Sequence, residues 1–406
     1  MSEKVAVIGL GYVGLPLALT CYSAGFNVIG IDKDEKKINM LKSGKSYINH
    51  ISDKDINKNL ITTSSFSLLQ DCDNIFVCVP TPMNDRDEPD HSLVLSAFHQ
   101  IKKHLRKGQL IILESTVSPG FTEEQILPLL KSTGLNCPND FCLAFSPERE
   151  DPGNKTYNIK NIPKLVGGVN KESTIKACLL YSKITDRVLP VSSAKIAETA
   201  KLFENIFRIV NIGFVNEMKL LCDEINVDIW EVIQAAKTKP FGFMPFYPGF
   251  GVGGHCLTNN PAFLLDNIKD NATIINAAIN VNNKMPNYII DKLLLSLNKQ
   301  KKCINGSNIL VCGISYKENI NDDRGSPSYI IIDKLIKLGA NVSYCDPYFE
   351  TIQYKIEKVN VDKVKFSSFD AVIICTAHKE FIDKTLFNKC QLVIDTKNIT
   401  DNSIKA

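Results

Sequence analysis

A single thiol, Cys256, stands behind a run of glycines in the stretch KPFGFMPFYPGFGVGGHCLTNNPAFLL at 239–265. Gly249, Gly251, Gly253 and Gly254 precede it, and glycine lets backbone approach a ligand closely. A loop so rich in glycine is expected to have little packing of its own and to wrap something. His255 is its neighbour, and a cationic imidazole beside a thiol favours the thiolate, the nucleophilic form. Most cysteines are simply buried; the glycines and the histidine point this one toward covalent chemistry. Glu148 lies in the loop SPEREDPGN at 146–154 and could act as an acid or base, although a loop glutamate is usually just solvated. Lys201, Asn205 and Arg208 step by four and three, so on a helix they share one face. A cation and an amide one turn apart could hold a developing alkoxide. From spacing alone, a solvated helix face explains them better.

These side chains need a scaffold, and 406 residues suffice for two or three domains. Residues 4–8, KVAVI, read as a buried strand. They run into Gly9, Gly11 and Gly14 of a GxGxxG turn, then a helical stretch, then a second strand at 27–31 ending in Asp32. In this setting the first two glycines make the tight turn and admit a pyrophosphate, and the third lets helix pack on strand. The helix N-terminus then faces the phosphates. Asp32 would accept bonds from a ribose diol and repel a 2′-phosphate, so NAD is expected rather than NADP. Further strands are predicted at 74–79, 109–113 and 141–145. Ligands of open α/β sheets sit beyond the carboxyl ends of strands, which makes Thr81 and Thr116 candidates for the nicotinamide side. Capping of helices is the ordinary alternative for both.

The pattern turns helical at 194–227, where Ile196, Ala200, Phe203, Phe207, Val210 and Phe214 recur at three- and four-residue steps. That is long for one helix, and a spine between two domains that also offers a dimer face explains it. Strand-like runs return at 308–314, 341–345, 369–375 and 392–394, with a helix predicted at 327–340. This is a second doubly wound domain without GxGxxG, and a boundary is expected near 299–306. Lys317 and Arg324 in its first loop are both able to reach phosphate.

Composition narrows the classes. A net charge of +3 predicts no strong field for nucleic acid or an anionic membrane. No apolar run approaches a bilayer-spanning length, and the N-terminus enters a strand pattern without a signal peptide. Thirteen cysteines without CxxC spacing argue against a disulfide framework or zinc site and for a reducing cytoplasm.

The motifs converge: VIGLGYVGLPLA, VPTPMN with EPDHS, ESTVSPG, FSPERED with PGN, KLFENIFRIVNIGFVNEM, KPFGFMPFYPG with GVGGHC, GISYK, and DDR with SP. With them, nearly end to end, the chain resembles the nucleotide-sugar 6-dehydrogenases of the UDP-glucose/GDP-mannose dehydrogenase superfamily. Within it, the UDP-N-acetylhexosamine 6-dehydrogenases of bacterial and archaeal polysaccharide pathways are the nearest likeness. The resemblance implies an α/β fold of two Rossmann-like doubly wound domains joined by a long central helix. It implies an NAD-binding domain at 1–190, a central helical dimerisation domain with the cysteine loop at 191–300, and a UDP-sugar-binding domain at 301–406. It also implies a homodimer whose core the long helix forms; the cytoplasm, and no metal, are expected from the cysteine pattern above.

The implied reaction takes the sugar C6 alcohol to a carboxylate with two NAD. Cys256 matches the thiol that traps the aldehyde as a thiohemiacetal, later a thioester that water hydrolyses. Lys201 and Asn205 match the pair holding the C6 oxygen. Thr116 matches the threonine that positions a water, and Glu148 the glutamate of thioester hydrolysis. Gly9, Gly11, Tyr12, Val13, Gly14, Asp32, Lys37, Thr81, Thr116 and Arg324 map onto cofactor contacts. Glu148, Arg149, Lys201, Asn205, Arg208, Tyr247, Gly251 and Lys317 map onto the UDP-sugar site.

Four positions depart from the family pattern. Asn260 stands where aspartate is usual four residues after the cysteine, and an amide cannot take a proton. It is expected to orient a water or Lys201 while Glu148 carries the proton transfer. Phe250 replaces a proline, Gly325 a glutamate, and Lys397 an arginine, which gives up the bidentate fork. Oxidation halted at aldehyde or slow thioester, or a non-catalytic homologue that binds UDP-sugar and NAD, are the alternatives to the full reaction.

Overall fold

The first apolar run forms β1 (Lys4–Ile8), whose side chains alternate between two cores. Val5 and Val7 join Leu15, Leu17 and Phe76, whereas Ala6 and Ile8 join Phe98, Ile101 and Phe145. Such two-sided burial is what helices on both faces of a parallel sheet produce. The computed structural model describes residues 3–48, 51–57, 59–150, 156–266, 271–383, 385–401 and 403–406. The side chains of His255 and Cys256 and the 151–155 part of the SPEREDPGN run lie outside the described residues.

The elements continue as α1 (Gly14–Ser23), β2 (Asn27–Ile31), α2 (Glu35–Lys42), β3 (Ile61–Thr63), β4 (Asn74–Val77), α3 (Ser92–His104) and β5 (Leu110–Leu113). After these come α4 (Leu127–Lys131), β6 (Cys142–Phe145), β7 (Lys164–Gly168), α5 (Lys171–Tyr181) and β8 (Val188–Pro190). The sheet order is β3-β2-β1-β4-β5-β6-β7-β8, parallel except for the β6–β7 pair. Pairing of Ile8 with both Ile31 and Val77 brings the carboxyl ends of β2, β1 and β4 level. The strand order reverses at β1, which is where open α/β sheets take their ligands.

The chain then runs into α6 (Ala194–Glu224), α7 (Ile229–Lys237), α8 (His255–Leu265) and α9 (Thr273–Lys299). A second sheet uses β9 (Asn308–Cys312), α10 (Pro327–Lys337), β10 (Asn341–Cys345), β11 (Glu357–Lys358), β12 (Ala371–Ile374), β13 (Val393–Asp395) and β14 (Ile404–Lys405). Its order, β11-β10-β9-β12-β13-β14, is parallel throughout. The likeness to the first sheet reaches single atoms. Leu10 N–H donates to Asp32 Oδ2 at 2.8 Å, and Ile314 N–H donates to Asp346 Oδ2 at 2.6 Å. Both aspartates follow the second strand of their sheet. Asp346 is also held by His378 Nε2 at 3.0 Å.

Two compact units result, Met1–Glu204 with Asn259–Lys269 and Asn205–Thr258 with Asp270–Ala406. Among the described residues every cysteine is a free thiol, and no helix is long and apolar enough to cross a membrane.

Two expectations change. The stretch at 239–265 is a loop only as far as Gly254, because α8 starts at His255 despite Pro261. The helix is anchored by Phe263, fully buried and edge-on to His91 at 5.5 Å. Nor is the glycine loop short of packing. A Cβ on Gly253 would stand 2.6 Å from Tyr316 Cβ, and one on Gly254, at φ +84°, would stand 2.6 Å from the Tyr316 ring. The glycines let Tyr316 lie flush against backbone, so the protein itself fills part of the space the loop was expected to keep for a ligand.

Candidate active site

In the first unit the dinucleotide turn is built from contact limits. A Cβ on Gly14 would fall 1.8 Å from Gly9 O, so no larger residue fits where α1 meets β1. A Cβ on Gly11 would meet nothing within 4 Å, which leaves that side open to a phosphate. Val13 precedes α1 without a side-chain cap, and the first turn of α1 holds no acid. Leu15 N–H is taken by Gly11 O at 3.1 Å and Pro16 has no N–H, so the Gly14 end of the helix is the part that faces an anion. Asp32 is buried; Oδ2 accepts from Leu10 and Oδ1 from Asp34 N–H at 2.9 Å. These bonds fix the carboxylate and leave it lone pairs for a ribose diol. Lys37 sits 3.6 Å from Asp32 and over the Tyr47 ring, and Tyr12 is half exposed. The residues present fit NAD. Thr81, buried, and Thr116, half-buried, follow β4 and β5. Neither caps a helix: α3 starts after His91 and α4 after Ile126.

Also in this unit, Glu148 is pinned at one oxygen. Its Oε1 accepts from Arg149 N–H at 2.6 Å and Glu150 N–H at 2.5 Å. Its Oε2 is buried without a hydrogen bond among the described residues and lies 3.6 Å from Lys164 Nζ. Lys164 pairs with Glu114 at 3.1 Å, and Tyr181 O–H bonds the other Glu114 oxygen. Burial raises the Glu114 carboxyl, opposed by Lys164 and reinforced by Glu148. Burial works against charge on Lys164, but Glu114 and Glu148 outweigh it and hold its pKa above the ordinary lysine range. Glu150 is pushed up to about 7, by burial first and the Glu148 charge second. The guanidinium of Arg149, expected at the sugar, is engaged by Glu204 at 2.6 Å and Pro163 O at 2.7 Å. Lys201 lies half-buried on α6. Asn260, on α8, is buried, and its Nδ2 has no hydrogen-bond partner among the described residues. It can donate to an oxygen there.

The second unit carries the rest. Asn205 is 1% exposed on α6; its Oδ1 accepts from Arg208, and its Nδ2 has no partner among the described residues. The amide is thereby turned with its donor free, as a developing oxyanion requires. Asn216 Oδ1 accepts from Gly249 N–H at 2.9 Å, and its Nδ2 donates to Asn282 on α9 at 2.9 Å, which ties the glycine loop to two helices. Tyr247 stacks on Trp230, and Gly251 packs beside Pro327. Gly254 N–H donates to Arg324 O at 2.9 Å, while the Arg324 guanidinium makes a two-point pair with Asp322. Lys317 lies after Ser315, whose hydroxyl donates to its carbonyl. Two of the departures touch each other: Lys397 Nζ stands over the Phe250 ring at 5.4 Å. A third, Gly325, has φ +63°, a conformation in which the glutamate usual in relatives would be strained.

Family models match the chain in three parts: the UDP-glucose/GDP-mannose dehydrogenase NAD binding domain at 3–185, central domain at 195–284 and UDP binding domain at 310–402. The chain belongs to this family. It is an NAD-dependent dehydrogenase of the family, with the NAD binding domain on the first sheet. It is similar to Protein CapL of Staphylococcus aureus, 34% identical over 99% of this chain and 97% of the relative. It is 33% identical to UDP-N-acetyl-D-glucosamine 6-dehydrogenase of Salmonella typhi over 93% and 90% of the two chains. Among solved structures, UDP-D-ManNAc dehydrogenase of Pyrococcus horikoshii superposes with TM-score 0.89 at 32% identity, covering 98% of this chain and 96% of that one.

Sequence reasoning passed over Lys164, Glu114 and Tyr181. A basic residue opening a four-residue apolar run, KLVGG, reads as a strand end; only the sheet brings it beside a glutamate 50 residues away.

Proposed function

We propose that the protein oxidises the C6 alcohol of a UDP-N-acetylhexosamine to the uronic acid through Cys256, supplying surface polysaccharide precursors. The observation that carries this is the near-complete match to relatives named UDP-N-acetyl-D-glucosamine 6-dehydrogenase and UDP-N-acetyl-D-mannosamine dehydrogenase at about a third identity. NAD, when bound, accepts the hydride lost from C6 in each of two oxidations. Lys201 and the free Asn205 donor hold the C6 oxygen as it gains charge. The Cys256 thiolate adds to the aldehyde carbon, giving a thiohemiacetal whose oxidation leaves a thioester. Thr116 positions a water. Glu148 takes its proton as the oxygen bonds to the carbonyl carbon, and the carbon–sulfur bond breaks to release the thiolate. Residues 1–190 serve NAD, 301–406 the UDP-sugar with Arg208, Tyr247, Gly251 and Lys317, and 191–300 the thiol loop. The working form in this reading is a cytoplasmic homodimer, a reducing compartment suiting the free thiols.

Asn260 favours a second reading, a reaction slowed at the thioester. It can donate but not accept a proton, and a general base typically contributes ~10²–10⁴-fold.

NADH yield over a panel of UDP-sugars, with product mass, tests both. The full reaction gives two NADH per sugar and an acid from a UDP-N-acetylhexosamine. The slowed one gives a Cys256 acyl adduct that outlasts the first turnover. Full acid from Cys256→Ala, or no NAD reduction with any UDP-hexose, would sink the proposal.

A further inference from the structure

The two oxygens of Glu148 are treated differently. Two backbone N–H groups occupy Oε1, so its lone pairs are committed. Oε2 is buried and carries no hydrogen bond among the described residues, yet a cation stands 3.6 Å away. That cation cannot swing closer, because Glu114 holds the ammonium at 3.1 Å, Tyr181 braces Glu114, and the ammonium lies 5.3 Å over the Tyr181 ring. The side chains of Lys164 and Glu114 are 6% and 0% exposed, so solvent barely screens them.

We propose that Lys164, anchored from behind by Glu114 and Tyr181, is a positioning residue for Glu148 in thioester hydrolysis. It draws negative charge to Oε2 by attraction at a distance, while leaving that oxygen's lone pairs open to a water proton. This rests on the hydrolytic role given to Glu148 above. The step it serves is closed in atoms: the water oxygen bonds to the thioester carbon, its proton goes to Glu148 Oε2, and sulfur leaves as the Cys256 thiolate. Glu150 shares the cluster and explains how it tolerates three carboxylates around one ammonium. It keeps its own proton up to about pH 7, under burial and the Glu148 charge.

Lys164→Met separates positioning from mere support. Hydride transfer precedes hydrolysis, so the first burst of NADH should keep its amplitude and rate. Steady-state turnover should fall about 10²-fold, the low end of a general base's contribution. Intact-protein mass should show the acyl adduct on Cys256, and Lys164→Arg should restore most of the turnover. Lys164→Met with Glu114→Gln is run beside it, because a buried orphan carboxylate destabilises the single variant. The double variant removes the Glu114 charge together with the ammonium, leaves Glu148 as the carboxylate that has lost its cation, and should show the same burst with the same slow release. Equal losses of burst and turnover, or unchanged turnover, overturn the positioning role. Wild-type protein that reduces no NAD with any UDP-hexose is a distinct result, and it overturns the parent reading and this one together.

Discussion

Burial, with the nearby Glu148 charge second, pushes the Glu150 carboxyl up to about 7, and this has a consequence for stability. An unfolded glutamate titrates at about 4.3. Between that value and about 7 the folded chain keeps a proton that the unfolded chain has released. Stability therefore falls as pH rises through this window. Glu114, raised for the same physical reason, tilts the slope the same way. Glu150→Gln should flatten the fall without abolishing it, and urea midpoints between pH 5 and pH 8 measure this; an unchanged slope would mean that Glu150 is not the proton holder. At this scale the sequence was legible where spacing encodes contact. Gly9, Gly14 and Asp32 sit where a strand–turn–helix–strand unit needs them, and Gly14 indeed has no room for a Cβ. Lys164 was not legible, since its function depends on sheet register across 50 residues rather than on neighbours in the chain.

Periodicity announced α6 but not which of its faces would be covered. Ile196, Phe203, Phe207, Phe214 and Leu221 carry the apolar rhythm and lie exposed on the single chain, whereas Leu202, Ile206, Ile209 and Val215 are buried. Both faces of the helix are apolar, so a three- and four-residue rhythm fits either. α9 escaped notice because its Asn-rich first half and Pro286 blur the pattern. One residue fixes how these helices meet. A Cβ on Gly213 of α6 would stand 2.8 Å from both Cα and Cβ of Ala278 on α9. Valine there gains a little helix propensity over glycine but forces the helices apart. Gly213→Val should cost about 1–3 kcal/mol, the usual penalty of overpacking. Equilibrium urea unfolding reads this directly, and an equal or higher midpoint would show that the two backbones are not in close contact there.

For the molecule as a whole, the two sheets repeat one plan, down to an aspartate after the second strand that binds the backbone N–H following a glycine. The repeat was visible in the alternation of strands and helices. The second turn lacks GxGxxG, and its aspartate is claimed by His378 inside the protein, so the duplicate plan does not imply a duplicate cofactor. What a single chain leaves unfinished is the exposed α6 stripe, where aromatic and aliphatic side chains on one helix face stand in water. Single exposed apolar residues are ordinary, but an aligned set marks an interaction surface. A second copy of the same helix would cover it by the self-complementary contact of a two-fold dimer. Phe214 and Leu221 are the positions to test, being well removed along α6 from Lys201 and Asn205. Phe214→Lys with Leu221→Lys places like charges across a two-fold contact without touching either sheet. Wild-type protein should elute with twice the single-chain mass in light scattering at micromolar concentration. The double variant should elute with the single-chain mass and still bind NAD, since the dinucleotide turn lies on β1 and α1. A wild type that elutes with the single-chain mass would overturn the dimer, and a variant that stays paired would place the contact elsewhere than on this helix.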